Sequence, residues 1–350
     1  LVPYEPGKPV EDVARELGLQ PDQIIKLASN ENPLGPAPMA RQAMKDLIDR
    51  CHIYPDGGGY HLRNAIADRN GLERSNVILG NGSNEIIEFL YHGFTQPGQH
   101  SVVASRYAFV VYKLMAQLFG VEMIETPDKD LAHDLEAMLG AIRKDTRLVF
   151  VANPNNPTGL RIPNETLKAF VGQVPDHCLC VIDEAYYEFL ESPPETVEWL
   201  RTNPRLILLR TFSKIQGLAA LRIGYGLTSP GIAEVLQRCR QPFNANALAQ
   251  AAALAGLEDI SHQDKTKAIT VEGREALQSW CEKKQLPYLS SEANFVLIKT
   301  GRAEEIFKGL MKKGVIVRSM TSYGLPDYIR VSIGTPDEMK RFVETIDPLL

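Results

Sequence analysis

The chain has 350 residues, is 44 % hydrophobic and 23 % charged, and carries a formal net charge of −5. These fractions suit a globular protein of about two domains with a sizeable core. The acidic balance gives no electrostatic case for nucleic-acid binding. No apolar run is long enough to span a membrane.

Taken in order, the opening Leu1-Val2-Pro3-Tyr4-Glu5-Pro6-Gly7-Lys8-Pro9 is a Pro/Gly-rich arm and reads as no secretory signal. Five scattered cysteines, an odd number, argue for a reducing compartment over a disulfide framework, so a cytoplasmic location is expected. A short amphipathic helix is predicted over 9–17, stopped by Gly18. Next come the polar turn Leu27-Ala28-Ser29-Asn30-Glu31-Asn32-Pro33-Leu34-Gly35 and a second helix over 38–49. The loop Cys51 to Gly59 holds Tyr54-Pro55-Asp56-Gly57-Gly58-Gly59.

From about residue 60 to 230 the pattern alternates. Strands are predicted over 76–79, 101–104, 122–125, 148–152, 179–182, 206–209 and 223–227. Helices are predicted over 83–93 and 108–119, with helical patterns between several of the later strands. Such alternation implies an α/β unit with a mainly parallel sheet and helices on both faces. Ligands of such sheets sit outside the carboxyl ends of the strands. Cys178 and Cys180 fall in one apparent buried strand; they are expected to face opposite sides of it and to have no metal or redox role. Beyond residue 240 an Ala-rich helix over 245–256 leads into a Lys/Glu-rich helical stretch. Strands over 294–299, 315–318 and 328–333, with helices over 302–313 and 336–349, make a smaller α+β domain. The expected division is 1–50 as an arm and helices packing with the small domain, 51–240 as the large domain, and 241–350 as connecting helix and small domain.

Four stretches at strand ends carry the chemistry. Gly80-Asn81-Gly82-Ser83-Asn84-Glu85 is a glycine turn opening a helix, where free backbone N–H groups favour a phosphate. A dinucleotide fingerprint fails, because Glu85 stands where a third glycine is needed. A tight turn with Ser83 as its N-cap is the plain structural alternative. Asn153-Pro154-Asn155-Asn156-Pro157-Thr158-Gly159 is a rigid loop able to fix an amide side chain at one spot. Asp183 ends a buried strand and needs a partner there. A pyridoxal ring nitrogen would serve, with Tyr186 donating to the ring's phenolic oxygen. A Mg²⁺-binding aspartate of the Walker-B kind would need a Walker A loop, and the chain has none. Thr211-Phe212-Ser213-Lys214 closes the apolar run Leu206-Ile207-Leu208-Leu209. A lysine buried there would be costly unless paired or titrating, and an amine of lowered pKa is the nucleophile that reacts with carbonyls. The plain alternative is a surface lysine in a loop.

In this order the four stretches resemble those of the fold-type I pyridoxal-phosphate aminotransferases. The loop 153–159, Thr211-Phe212-Ser213-Lys214 and Leu221-Arg222-Ile223-Gly224 are similar to the class-II branch, and within it to the histidinol-phosphate aminotransferase family. Pro3–Pro9, Leu27–Gly35 and Tyr323-Gly324-Leu325-Pro326-Asp327-Tyr328-Ile329-Arg330-Val331-Ser332-Ile333-Gly334 extend the resemblance over nearly the whole chain. Aromatic-amino-acid aminotransferases and threonine-phosphate decarboxylases look similar. The resemblance implies pyridoxal 5'-phosphate as cofactor and no metal. It implies histidinol phosphate and glutamate or 2-oxoglutarate as substrates, and a homodimer. Lys214 would bind the cofactor covalently and carry the proton. Asp183 would meet the pyridine nitrogen, Tyr186 and Asn153 the phenolic oxygen, and Tyr107 would stack on the ring. Gly82, Ser83, Asn84, Thr211, Ser213 and Arg222 would hold the phosphate, joined by Tyr54 from the neighbouring subunit. Tyr4, Asn32, Asn153, Arg318 and Arg330 would face the substrate, arginine being suited to carboxylate and phosphate. Glu31 and Glu184 are expected to be structural.

Overall fold

The computed structural model describes residues 8–350. Its main sheet has seven strands: β1 (Val77–Gly80), β2 (Ser101–Ser105), β3 (Glu122–Thr126), β4 (Thr146–Ala152), β5 (Leu179–Asp183), β6 (Leu206–Thr211) and β7 (Gly224–Thr228). Their spatial order is β1-β7-β6-β5-β4-β2-β3. All pairings are parallel except the two made by β7, which runs backwards between β1 and β6. Short apolar runs fold this way because both faces of a parallel sheet are covered. In β4, Leu148 and Phe150 join one core cluster with Val102, Val181 and Ile207, while Val149 and Val151 join the other with Val103, Ile182 and Leu208. The edge strand β3 differs. Its Glu122 and Glu125 are exposed and pair with Arg143 and Lys113, charges that discourage a further strand from adding.

The reversed strand decides where a site can form. Its first residue, Gly224, lies beside the last residue of β1, Gly80, and the last of β6, Thr211. Ala152 of β4 pairs with Asp183 of β5, which pairs in turn with Leu209, two residues before the end of β6. One crevice therefore receives the carboxyl ends of β1, β4, β5 and β6. Position 224 has to be glycine, since a Cβ there would lie 2.4 Å from the backbone nitrogen of Ser83.

The smaller unit contains an antiparallel sheet of β8 (Phe295–Lys299), β9 (Arg318–Ser319) and β10 (Tyr328–Ser332), ordered β8-β10-β9. The expected strand over 315–318 is split. Val315–Ile316 pairs in parallel with Ile25–Lys26, and only Arg318 and Ser319 reach β10. The helix Val10–Leu17 packs beside that parallel pair, where Val13 and Ala14 meet Ile316. The helix Pro38–Leu47, expected with the small unit, packs elsewhere: Ala40 shares the core under the main sheet with Ala249, Ala252 and Ala253 of the helix Ala247–Glu258. Alanine on both partners lets these two helices approach closely.

Cys178 and Cys180 correct one expectation. Both bury their side chains in the same cluster, as residues two apart along an extended chain must. Burial pushes both thiols up, Cys178 to about 12. Among the described residues no group of His, Cys, Asp and Glu could hold a metal ion, and no helix is long and apolar enough to cross a membrane.

Glu184, expected to be structural, is 1 % exposed and pairs at 2.8 Å with Arg210 on β6. Thr196 donates a second hydrogen bond to it, and the Arg210 guanidinium lies 3.9 Å from the ring centre of Tyr187. Removing one member of such a pair strands the other charge without water. Glu184→Ala is expected to destabilise the protein by about 3–5 kcal/mol, read as a lower urea midpoint. A midpoint within error of wild type would show that the pair holds nothing together.

Candidate active site

The crevice at the strand ends is a cavity of about 290 Å³, and Lys214 is one of the residues that line it. β6 ends at Thr211, and three residues of turn bring the lysine amine to the backbone carbonyls of Asn30 (3.1 Å) and Ser29 (3.5 Å). It makes no ion pair among the described residues. Burial lowers its pKa to about 8, and the charges of Arg330 and Arg222 act in the same direction, against Glu31 and Asp183. Near neutral pH this amine can therefore exchange a proton with modest driving force.

Asp183 faces the same cavity. Burial raises its carboxyl to about 6, although two hydrogen bonds oppose the rise. Tyr112 Oη donates to Oδ2 at 2.8 Å, and the backbone N–H of Ala185 donates to Oδ1 at 3.2 Å. Tyr186 is 4 % exposed, and burial pushes its phenol up to about 12. Asn30 Nδ2 donates to the Tyr186 oxygen at 3.0 Å, so the phenol's own proton remains available to the cavity. Asn30 takes a left-handed backbone (φ 54°), and its side-chain oxygen accepts from Ser332 Oγ at 2.9 Å.

The other end of the cavity is built for an anion. The helix Ser83–Phe94 starts there without a side-chain cap. Ser83, Asn84, Thr211, Ser213 and Arg222 line this end. Gly82 (φ 79°) leaves the space that the arginine uses: a Cβ on it would lie 2.3 Å from Arg222 Nη2. Glu85, the residue that broke the dinucleotide pattern, accepts from Asn81 N and Asn244 Nδ2, both at 2.6 Å, so its charge is engaged on the turn. Backbone N–H groups, hydroxyls and a guanidinium at one end, a buried carboxylate and an amine further in, fit a phosphorylated pyridine aldehyde.

Arg318, Arg330 and Tyr323 enter the cavity from the small unit. Arg330 is 6 % exposed and ties the two units together: Nη2 donates to the carbonyl of Ala28 at 3.0 Å, and Nη1 donates to Asn156 Oδ1.

Several expected residues are placed elsewhere. Asn153 turns back into its own loop, its Oδ1 accepting from Ile162 N at 2.8 Å, and it does not line the cavity; Asn156 does. The tyrosine ring of Tyr107 packs with Leu297, Met320 and Leu325, and Phe109 takes the place at the cavity wall. The turn Ser105–Ala108 separates the two aromatics, and its geometry selects the second. Asn32 donates to Ile215 O (2.9 Å) and Thr266 Oγ1 (3.1 Å), which makes it a brace between segments and not a wall of the cavity. Glu31 lines the cavity, paired with Lys26 at 3.0 Å. Tyr54 is 80 % exposed and stacks on Phe243, centroids 4.8 Å apart, outside the cavity of its own chain. Tyr4 lies outside the described residues. Asn30, Phe109, Tyr112 and Asn156 are the site residues that sequence reasoning missed. Asn156 had a usable signal, because it immediately precedes the second proline of its loop and so shares that loop's rigidity.

The comparisons agree with this geometry. The sequence profile of aminotransferase class I and II matches residues 22–346. The chain is 45 % identical to the histidinol-phosphate aminotransferase of Akkermansia muciniphila, covering all of this chain and 96 % of the relative. It is 45 % identical to that of Moorella thermoacetica, covering 91 % of that protein. Among solved structures, the histidinol-phosphate aminotransferase of Sinorhizobium meliloti in complex with pyridoxal-5'-phosphate superposes with a TM-score of 0.90 at 28 % identity, over 100 % of this chain and 96 % of that one. The enzyme of that name from Clostridium acetobutylicum gives 0.85 at 25 % identity, over 93 % and 99 %. With a profile spanning both units and relatives matched over more than nine-tenths of their length, the chain belongs to the class I and II aminotransferase family.

Proposed function

We propose that the protein is a pyridoxal-phosphate-dependent aminotransferase that moves an amino group between histidinol phosphate and 2-oxoglutarate. The observation that carries the reading is one cavity in which a lysine of lowered pKa stands with a buried carboxylate and an anion cradle. When bound, pyridoxal phosphate supplies an electron sink for the charge left at the substrate Cα.

The chain's residues do the rest. Ser83, Asn84, Thr211, Ser213 and Arg222 would hold the phosphate. Asp183 would hold a proton on the pyridine nitrogen. Tyr186 would donate to the phenolic oxygen, because Asn30 already occupies its acceptor side. Phe109 would cover a ring face. The Lys214 amine would carry the proton between the substrate Cα and C4′ of the cofactor. Arg318 and Arg330 receive an anion of the substrate: the phosphate of histidinol phosphate, or a carboxylate of 2-oxoglutarate in its place. Two arginines that bind either anion suit a ping-pong enzyme that takes two substrates in turn. The relatives at 45 % identity support the choice of amino donor.

A homodimer completes the reading. Tyr54, Phe243 and Ile53 are exposed and Ile53 and Tyr54 line a surface hollow, which leaves the Tyr54 hydroxyl free to reach the phosphate of a second subunit. A two-fold interface lets one loop complete two sites. A cytoplasmic location agrees with the free cysteines.

Three outcomes test these roles. Capture of pyridoxal phosphate by the wild-type apoprotein should speed up about tenfold per pH unit up to pH 8 and then level off, since the neutral amine is the reactive form. Lys214→Ala should lose this profile, the visible band and all turnover; transamination near wild type would remove the lysine from its role. Asp183→Asn should keep the fold but slow proton abstraction by roughly a hundredfold or more in single-turnover absorbance, because an amide cannot hold the ring proton as a carboxylate does. An unchanged rate would end that assignment. Finally, an inactive Lys214→Ala subunit mixed with an inactive Tyr54→Ala subunit should regain activity, with both defects in one site of each mixed dimer and none in the other. With subunit exchange verified, no rescue at all would mean that Tyr54 serves no neighbouring site.

A further inference from the structure

We propose that Tyr112 is a positioning residue for the transamination site, fixing the rotamer of Asp183 and keeping its carboxylate less basic than burial alone would make it. Tyr112 is fully buried, and its hydroxyl donates to Asp183 Oδ2 at 2.8 Å. The other carboxylate oxygen accepts the Ala185 N–H at 3.2 Å. Each oxygen is thus held by one fixed donor, and each keeps lone-pair capacity for a partner in the cavity.

The phenol is itself clamped. Its ring stacks on Phe150 with centroids 4.6 Å apart and planes at 12°. Its backbone carbonyl accepts the Tyr91 hydroxyl at 2.8 Å, and Tyr91 also stacks on Phe150, centroids 5.9 Å apart. Phe109, at the cavity wall, meets Tyr112 edge-on at 5.8 Å. One buried ring therefore braces both the aromatic that covers a ring face and the carboxylate that meets the ring nitrogen. Burial holds the phenol well above its ordinary pKa, so it remains a donor throughout the working pH range. A donor aimed at a carboxylate stabilises its charged form. The proton shared between Asp183 and the pyridine nitrogen is thereby biased toward the nitrogen, where the electron sink needs it.

The inference rests on the assignment of Asp183 to the ring nitrogen, and the test separates the two. The visible absorbance of the bound cofactor is titrated in the holoenzyme, alongside steady-state kinetics. In Tyr112→Phe the ring packing stays and only the hydroxyl is lost. The proton should move toward Asp183, the ring nitrogen should lose positive charge, and the absorbance midpoint should move to higher pH. Turnover should fall about tenfold, a barrier change of about 1.4 kcal/mol, with KM for the amino donor near wild type. Replacing Tyr112 by 3-fluorotyrosine, a stronger donor of almost the same size, should move the midpoint the opposite way, and it keeps the test available if the Phe variant does not fold. A midpoint and kcat unchanged in whichever variant folds, with only a lower melting temperature, would make Tyr112 a packing residue and overturn the inference. If Asp183→Asn also leaves the midpoint where it was, the ring-nitrogen assignment falls with it; if Asp183→Asn shifts it and the Tyr112 variants do not, only the inference fails.

Discussion

The structure depends on holding a half-buried amine that has no counter-ion among the described residues. Among those residues Lys214 donates only to the carbonyls of Asn30 and Ser29, and its pKa falls to about 8. The penalty on folding is complete below pH 8 and is relieved between 8 and the unfolded-state value near 10.5, where the unfolded chain holds the extra proton. Asp183 behaves as the mirror case. Its carboxyl is raised from 3.8 to about 6, so its penalty grows as pH rises from 3.8 to 6 and is complete above that. At neutral pH both penalties stand together. A ligand that offers a cation to Asp183 and a carbonyl to Lys214 relieves both, and binding it stabilises the folded state by linkage.

Two adjacent acids show how the fold separates structure from chemistry. Asp183 and Glu184 are both nearly inaccessible. Glu184 is given Arg210 at 2.8 Å and the Thr196 hydroxyl, which neutralises it and locks β5 to β6. Asp183 is given only neutral donors, a phenol and a backbone N–H. Withholding a cation from one acid and supplying it to its neighbour leaves the charge of Asp183, and not that of Glu184, directed at the cavity. The same economy governs Gly82 and Gly224, where missing side chains let Arg222 and the start of the helix Ser83–Phe94 close on an anion.

Much of this was legible in the sequence, and the misses have one physical cause. Apart from the edge strand β3, the strands of the main sheet are apolar runs buried on both faces, so composition alone marked them, with β4 starting two residues earlier and β6 ending two residues later than predicted. Lys214, Asp183 and Tyr186 sit immediately after such runs, and the geometry of a parallel sheet sends strand ends to one crevice. The errors fall where a loop chooses among chemically equivalent side chains. Asn153 and Asn156 share a loop, and only its three-dimensional path turns one back to Ile162 and leaves the other at the cavity. Tyr107 and Phe109 follow the same strand, and the turn after Ser105 decides between them. Asn30 and Tyr112 were invisible because their contacts cross 156 and 71 positions of sequence, distances over which no local pattern speaks.

The exposed aromatics Tyr54 and Phe243 obey a different constraint. The loop that carries Tyr54 is held firmly. Asp56 accepts the N–H groups of Gly58 at 2.8 Å and Tyr60 at 2.6 Å, which lowers its pKa and fixes the turn. Gly57 lies against the Phe243 ring, which a Cβ would approach to 3.2 Å. Phe243 itself takes a left-handed backbone (φ 57°), a conformation costly for an aromatic residue. A chain that holds two rings stacked in water, one of them on a strained backbone, gains little from that arrangement alone. The cost is offset once a second surface covers the stack and removes its apolar area from water. A rigid loop also delivers the Tyr54 hydroxyl at a defined position on that surface. Strain, rigidity and exposure at one place therefore fit the second-subunit contact proposed for Tyr54.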